Sequence, residues 1–221
     1  MRKAYTITFI SDWHMGSGLG DGYTADAVLA RDANGLPVLG GRAVKGALRE
    51  GARRLGLCRD DLCNCESLFF GTDSAERTSN TPGRIRVSTA CLGDPVRRIV
   101  LDSKGQERLD LLRYMTIHRS QTALESGMAK DGTLRTLECG IPHMIFHGQL
   151  DLDLSGLDIP EAWAFSYLHA VCAAVKSMGG HRSSGFGRCC VRLEDQPGQI
   201  ELPPLLASLT GDLAGGLKCT A

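Results

Sequence analysis

Ten residues late in the chain, Gly179-Gly180-His181-Arg182-Ser183-Ser184-Gly185-Phe186-Gly187-Arg188, restrict its fold more than any other stretch. They stand between a helical pattern and a strand-like run, Cys189 to Leu193. Glycine reaches positive φ without a Cβ clash, so four glycines in this run let the backbone turn its N–H groups outward. His181, Arg182 and Arg188 add side-chain donors, and such a loop can wrap a phosphate backbone closely. The same residues also suit a plain helix C-cap with a tight turn. A second cationic element, near the other end, favours the anion-binding reading.

That element is the helix predicted over Arg42 to Leu55. At 100° per residue Val44, Ala47, Leu48 and Leu55 share one face, with Gly51 between them, while Arg42, Lys45, Arg49 and Arg53 share the opposite one. A solvated face normally mixes signs to gain i,i+4 pairs, so a cationic stripe without acids points to phosphate binding as well as to simple solvation. Lys plus Arg and Asp plus Glu each number 25. Bulk attraction to nucleic acid is therefore not indicated, and a polyanion site must come from local clustering.

Tyr5 to Ile10 reads as a first strand, followed by a glycine-bearing loop from Ser11 to Tyr23. Gly83 to Leu92 and Met144 to Leu154 read as further strands. Pro160 is placed for the first turn of a helix ended by Gly179-Gly180, with Leu168, Val171, Cys172, Val175 and Met178 as its core stripe. Residues 94–140 are polar and weakly periodic, which marks a functional insertion. The order predicts an α+β fold, a ferredoxin-like or RRM-like βαββαβ core. One domain spans 1–221, with its core at roughly 4–93 and 141–194 and a tail at 195–221. RRM aromatic motifs are absent, so RNA would be held by loops and helix faces.

Hydrophobic content of 43% with 23% charge excludes wholesale disorder. No apolar run reaches the ~18 residues of a membrane span, and Met1 to Tyr5 leads into a strand, so a cytoplasmic protein without membrane contact is expected. Nine cysteines, an odd number, favour metal ligation or burial over disulfides. Cys58-x4-Cys63-x-Cys65, with Cys91 on the next strand, suggests structural Zn²⁺, with His118 and His181 as alternative fourth ligands. Cys139, Cys172, Cys189 and Cys190 read as buried small hydrophobes, and Cys219 as part of the tail.

Four segments together carry a family resemblance. They are Trp13-His14-Met15-Gly16-Ser17-Gly18; Asp26 with Arg31-Asp32, Gly35-Leu36-Pro37 and Gly40 to Arg49; Leu68-Phe69-Phe70-Gly71; and the late glycine-rich run. This set resembles the RAMP superfamily, specifically the backbone subunit of type III CRISPR effector complexes. Arg119 to Ala123 and Asp131 to Arg135 resemble the insertion of type III-D-like members, and the chain as a whole resembles type III-A/III-D-like ones. Gly41-Arg42 replaces the family's usual serine-rich turn, and the cysteine cluster is not universal.

The resemblance implies copies lined along a guide RNA (crRNA), with base pairing reading the target. Lys45 and Arg49 would grip guide phosphates, with Arg42 and Arg53 extending the track. Gly180, His181, Arg182, Ser183, Gly185, Gly187 and Arg188 would hold the next phosphate or ribose. His14 resembles a position near the guide; a solvated strand-end histidine is the plainer alternative. Residues 94–140 resemble the family's thumb, and Cys58 to Cys65 a zinc knuckle. Asp26, six residues before Asp32, matches the cleaving aspartate and implies cutting of target RNA dependent on Mg²⁺ or another divalent cation, by attack of the target 2′-OH. Asp12 and Asp21 are nearby but lack this spacing. Other RAMP and type III CRISPR effector subunits are the implied partners. Competing readings are a non-cleaving crRNA-binding subunit, a stand-alone guide-processing ribonuclease and a metal-binding regulatory domain.

Overall fold

In the first strand, β1 (Arg2–Phe9), alternate residues take opposite faces, which buries Tyr5, Ile7 and Phe9. The computed structural model describes residues 1–18, 20, 25–59, 62–72, 82–125 and 127–194. The expected tail, with Cys219, and Asp21 lie outside the described residues. After β1 come β2 (Val38–Leu39), α1 (Gly41–Cys58), α2 (Cys65–Phe70), β3 (Ile85–Val87) and β4 (Ala90–Leu92). Then follow α3 (Asp94–Asp102), α4 (Gly105–Tyr114), β5 (Thr116–Gln121), β6 (Leu124–Glu125), β7 (Met128–Ala129) and β8 (Arg135–Gly140). The chain then returns through β9 (Ile145–Leu152), α5 (Glu161–Ala174) and β10 (Cys189–Leu193).

The fold is mixed α+β with antiparallel sheets. Among the described residues one sheet has the order β10-β1-β9-β4-β2, with β3 also on β9. Helices α1 and α5 connect strands that are not neighbours, as the βαββαβ reading expects of its two halves. They meet at Gly51, where a Cβ would come 2.7 Å from the Val171 carbonyl oxygen. Arg54 Nη1 donates to the last carbonyl of α5, Ala174, at 3.3 Å. Among the described residues no helix is long and apolar enough to cross a membrane.

Three boundaries differ from expectation, each for a visible reason. Helix α5 starts after Pro160 and stops at Ala174, because Met178 N–H and the Lys176 carbonyl pair with Gly187 and Cys189 on the returning chain. The strand expected over 83–92 breaks at Ser88, whose hydroxyl accepts the Gln149 N–H at 2.8 Å and whose carbonyl accepts Tyr5 Oη–H at 2.9 Å. Residues 94–140 hold two helices and a hairpin. Helix α4 has no buried residue and α3 buries only Val100, so neither leaves the periodic trace of a core helix. Strands β5 and β8 pair from Thr116↔Gly140 to Gln121↔Arg135, and β6 pairs with β7 beyond them.

Candidate functional site

The base of this hairpin is fixed by Trp13. Its buried ring stacks on Phe9 at 4.7 Å, and its Nε1–H donates to the Ile141 carbonyl at 3.1 Å. Its backbone exchanges two hydrogen bonds with Gly140, at 3.1 and 2.8 Å. The next residue, His14, is 7% exposed, with Nδ1 2.7 Å from the Glu138 carbonyl oxygen. A carbonyl only accepts, so Nδ1 carries the hydrogen. His14 is thus held inside the fold, which departs from the reading of it as a solvated strand-end histidine.

The glycine-rich turn is stitched onto the same loop. Gly180 N–H donates to the His14 carbonyl (2.9 Å), Gly187 N–H to that of Asp12 (2.7 Å) and Arg188 N–H to Ser11 Oγ (3.0 Å). Ser184 and Gly185 N–H bond to His181 and Arg182 carbonyls inside the turn, which forms one 3-10 turn over Arg182–Ser184. Gly187, at φ 71°, tolerates no side chain: a Cβ would fall 1.9 Å from the Met178 carbonyl oxygen. These five amides are spent on the fold, so the expected outward cradle of N–H groups is not formed by them. The turn presents exposed side chains instead, His181, Arg182 and Ser183 among them.

Asp26 reaches the site alongside β8. Its N–H donates to the Thr136 carbonyl at 2.8 Å, and its Oδ2 accepts the Thr136 N–H at 2.7 Å. The carboxylate lies exposed in a groove of about 730 Å³ whose lining includes Gln121, Thr122, Arg135 and His181. The Arg31-Asp32 pair serves the scaffold. Arg31 is ion-paired with Glu138, while Asp32 Oδ1 accepts the Asn34 and Leu36 N–H groups at 2.9 and 3.0 Å and Oδ2 pairs with Arg97 at 3.0 Å. Arg119 of β5 clamps the Asp12 carboxylate at 2.6 Å, tying hairpin to core.

The stripe on α1 is not free of acids in three dimensions. Arg49 is ion-paired with Glu66 of α2 and donates to the Gly71 carbonyl at 2.7 Å, and Arg53 lies 3.4 Å from the same Glu66. Lys45 Nζ donates to the Ile85 carbonyl at 2.8 Å, and burial, with Arg49 beside it, holds its ammonium below the usual lysine range. Arg42 is exposed. The glycine-rich turn meets α1 through Arg182 and Glu50, about 100° around the helix from the stripe.

Cys58 and Cys63 are exposed, Cys65 is buried, and Cys91 sits in β4 opposite His147. Among the described residues no three His, Cys, Asp or Glu side chains gather as a metal site. As placed, the four thiols, His118 and His181 do not make one tetrahedral donor set, and no role is derived from a metal there. Residues that the sequence reading did not single out for the site are Glu138, which receives the Leu29 N–H at 2.9 Å, and the groove's Gln121, Thr122 and Arg135. The opposed strands of residues 116–121 and 135–140 carry that signal, hidden by their polarity.

The sequence profile of the RAMP superfamily matches residues 6–190. The chain belongs to the RAMP superfamily. No curated protein sequence matches it. Among solved structures it resembles a chain of the type III-B Cmr-beta complex in its apo state. The TM-score is 0.67 at 11% identity, covering 89% of this chain and 98% of that one. It also resembles a chain of type III-B Cmr-beta bound to cognate target RNA, with a TM-score of 0.63 at 10% identity, covering 87% and 97%. At such identity the likeness concerns the fold. Both solved complexes are type III-B, so they do not bear out the III-A/III-D-like subtype expected from the sequence.

Proposed function

We propose that this chain is an RNA-binding subunit of a cytoplasmic type III CRISPR effector, which holds crRNA and cuts the paired target RNA in the groove at Asp26. One observation carries the reading: Asp26 and His181, from opposite ends of the chain, line one groove beside the Gln121–Arg135 end of the β5–β8 ladder. Thr136 N–H holds one carboxylate oxygen of Asp26 and so fixes the orientation of the group. An exposed carboxylate suits a hard divalent cation such as Mg²⁺, which takes one or two carboxylates and completes its shell with water and phosphate oxygens. When bound, such an ion would neutralise charge developing on the phosphate. Arg135 supplies a guanidinium to the same groove, suited to a phosphate.

The decisive experiment compares wild type and Asp26→Ala in the assembled complex. Loss of target cutting with crRNA still bound supports the proposal. Unchanged cutting opposite this subunit sinks the catalytic role, and absence of a discrete short RNA in the purified complex sinks RNA binding. The second reading, a non-cleaving structural subunit, is favoured by the use of Asp26 as a clasp on Thr136. Zinc at Cys58, Cys63 and Cys65 is a separate proposal, resting on their spacing. One equivalent lost in Cys63→Ser supports it, and equal content in both proteins excludes Cys63 as a ligand.

A further inference from the structure

We propose that His181 is the proton donor to the leaving 5′-oxygen when RNA is cut in the groove, an inference that rests on the reading of Asp26 above. His181 is exposed and lines the same groove as Asp26 and Arg135. Its φ of 56° lies in the left-handed region, where glycine is at ease and a side chain is strained. Neighbouring positions in the turn are glycine, yet this one carries an imidazole. A strained non-glycine residue beside a groove is a reason to look for function there.

The imidazole is also held in place. Its ring stands edge-on to His14 at 6.3 Å and to Phe186 at 6.2 Å. On either side the backbone is anchored, by Gly180 N–H on the His14 carbonyl and by Ser184 N–H on the carbonyl of His181 itself. His14 is buried and is not among the residues that line the groove, whereas His181 is. Histidine is the side chain best suited to exchange a proton near neutral pH.

The step balances without an oxidant or reductant. The 2′-oxygen of the target forms a bond to phosphorus, and its proton passes to the Asp26 carboxylate. The bond from phosphorus to the 5′-oxygen breaks, and the His181 imidazolium supplies the proton that makes the leaving group a hydroxyl. The products are a 2′,3′-cyclic phosphate and a 5′-OH. Arg135 faces the same space and offsets negative charge on the phosphate oxygens.

The test uses the assembled complex, with His181→Gly and His181→Gln, on two target RNAs. One has the ordinary linkage at the cut site, and the other carries a bridging 5′-sulfur, a leaving group that departs without a proton. On the ordinary RNA, at saturating concentration, both variants are expected to cut about 100-fold or more slowly. On the sulfur-linked RNA their deficit shrinks to about fivefold or less, while Asp26→Asn stays impaired on both. His181→Gly relieves the left-handed strain and melts no lower than wild type, so a folding defect is separated from a chemical one. Wild-type rates on the ordinary RNA, or an undiminished deficit on the sulfur-linked RNA, overturn the role of His181 alone. A wild-type complex that holds RNA and cuts none overturns the Asp26 reading and this inference with it.

Discussion

Arg182 of the glycine-rich turn is ion-paired at 2.5 Å with Glu50 of α1, across 132 residues of sequence. Glu50 also accepts from Arg54, one helical turn away, at 2.5 Å. The hydrogen bond from Arg182 is the main cause holding the Glu50 carboxyl below the usual carboxylate range. The side chains are 44% and 39% exposed, so solvent screens the pair and a coupling of about 0.5 kcal/mol is expected. A depressed carboxyl contributes stability above its unfolded-state value and loses it as pH falls through the folded one. A double-mutant cycle of Arg182→Ala and Glu50→Gln, by denaturant unfolding, should show the coupling at neutral pH and a smaller one as pH falls below the usual carboxylate range. Equal coupling in both ranges would refute it.

The α1 stripe divides into scaffold and surface. Arg49 joins Glu66 and the Gly71 carbonyl, and the paired side chains are only 21% and 18% exposed. Arg49→Ala should therefore lower stability by about 1–3 kcal/mol, the range for a hydrogen-bonded charge that loses its partner. Arg42 is exposed, and Arg42→Ala should change stability by less than about 0.5 kcal/mol. If guide phosphates lie along α1, Arg42→Ala should instead flatten the salt dependence of RNA binding by about one counterion. Unfolding and salt titration of the two variants separate the roles.

Much of the core was legible in the sequence, because buried β1 and α1 carry periods of two and 3.6. The same periodicity could not say where the cations point. Glu66 lies on α2, and nothing in the spacing of Arg49 and Arg53 announces a carboxylate arriving from that short helix. The hairpin at 116–140 was legible only as an insertion, since β5 has no buried residue and so no hydrophobic alternation. Asp26 and His181 could each be named from motifs, but their shared groove depends on β8 and the 11–14 loop lying between them. That placement is a product of tertiary structure.

Thiol reactivity offers a check on the buried core. Burial pushes the thiols of Cys172 and Cys189 up to about 12 and that of Cys139 to about 11, whereas Cys58 and Cys63 are exposed. Thiolates are the reactive form, so a brief alkylation of folded, chelator-treated protein near pH 8 should label Cys58 and Cys63 and spare those three. Denaturant should expose them all. Peptide mapping reads the result, and rapid native labelling of Cys172 would contradict its place inside α5.

One chemical change, glycine to alanine, should have opposite signs at two positions. Gly140 ends β8 beneath the Trp13 indole, where a Cβ would lie 2.1 Å from Cε2. That distance is well inside van der Waals contact, and the ring cannot retreat. It is buried against Phe9 and, at 5.3 Å, Phe146, and its Nε1–H is tied to Ile141. Gly140→Ala should cost about 2–3 kcal/mol or more, as overpacking does, and should loosen the hairpin that carries Thr136, the clasp on Asp26. Gly46 lies on the exposed face of α1, with no atom within 4 Å of a built Cβ. There alanine restricts the unfolded chain and suits the helix, so Gly46→Ala should stabilise by about 0.5–1 kcal/mol. Denaturant midpoints of the two variants test both signs together, and a neutral Gly140→Ala would mean that Trp13 does not occupy the place described for it.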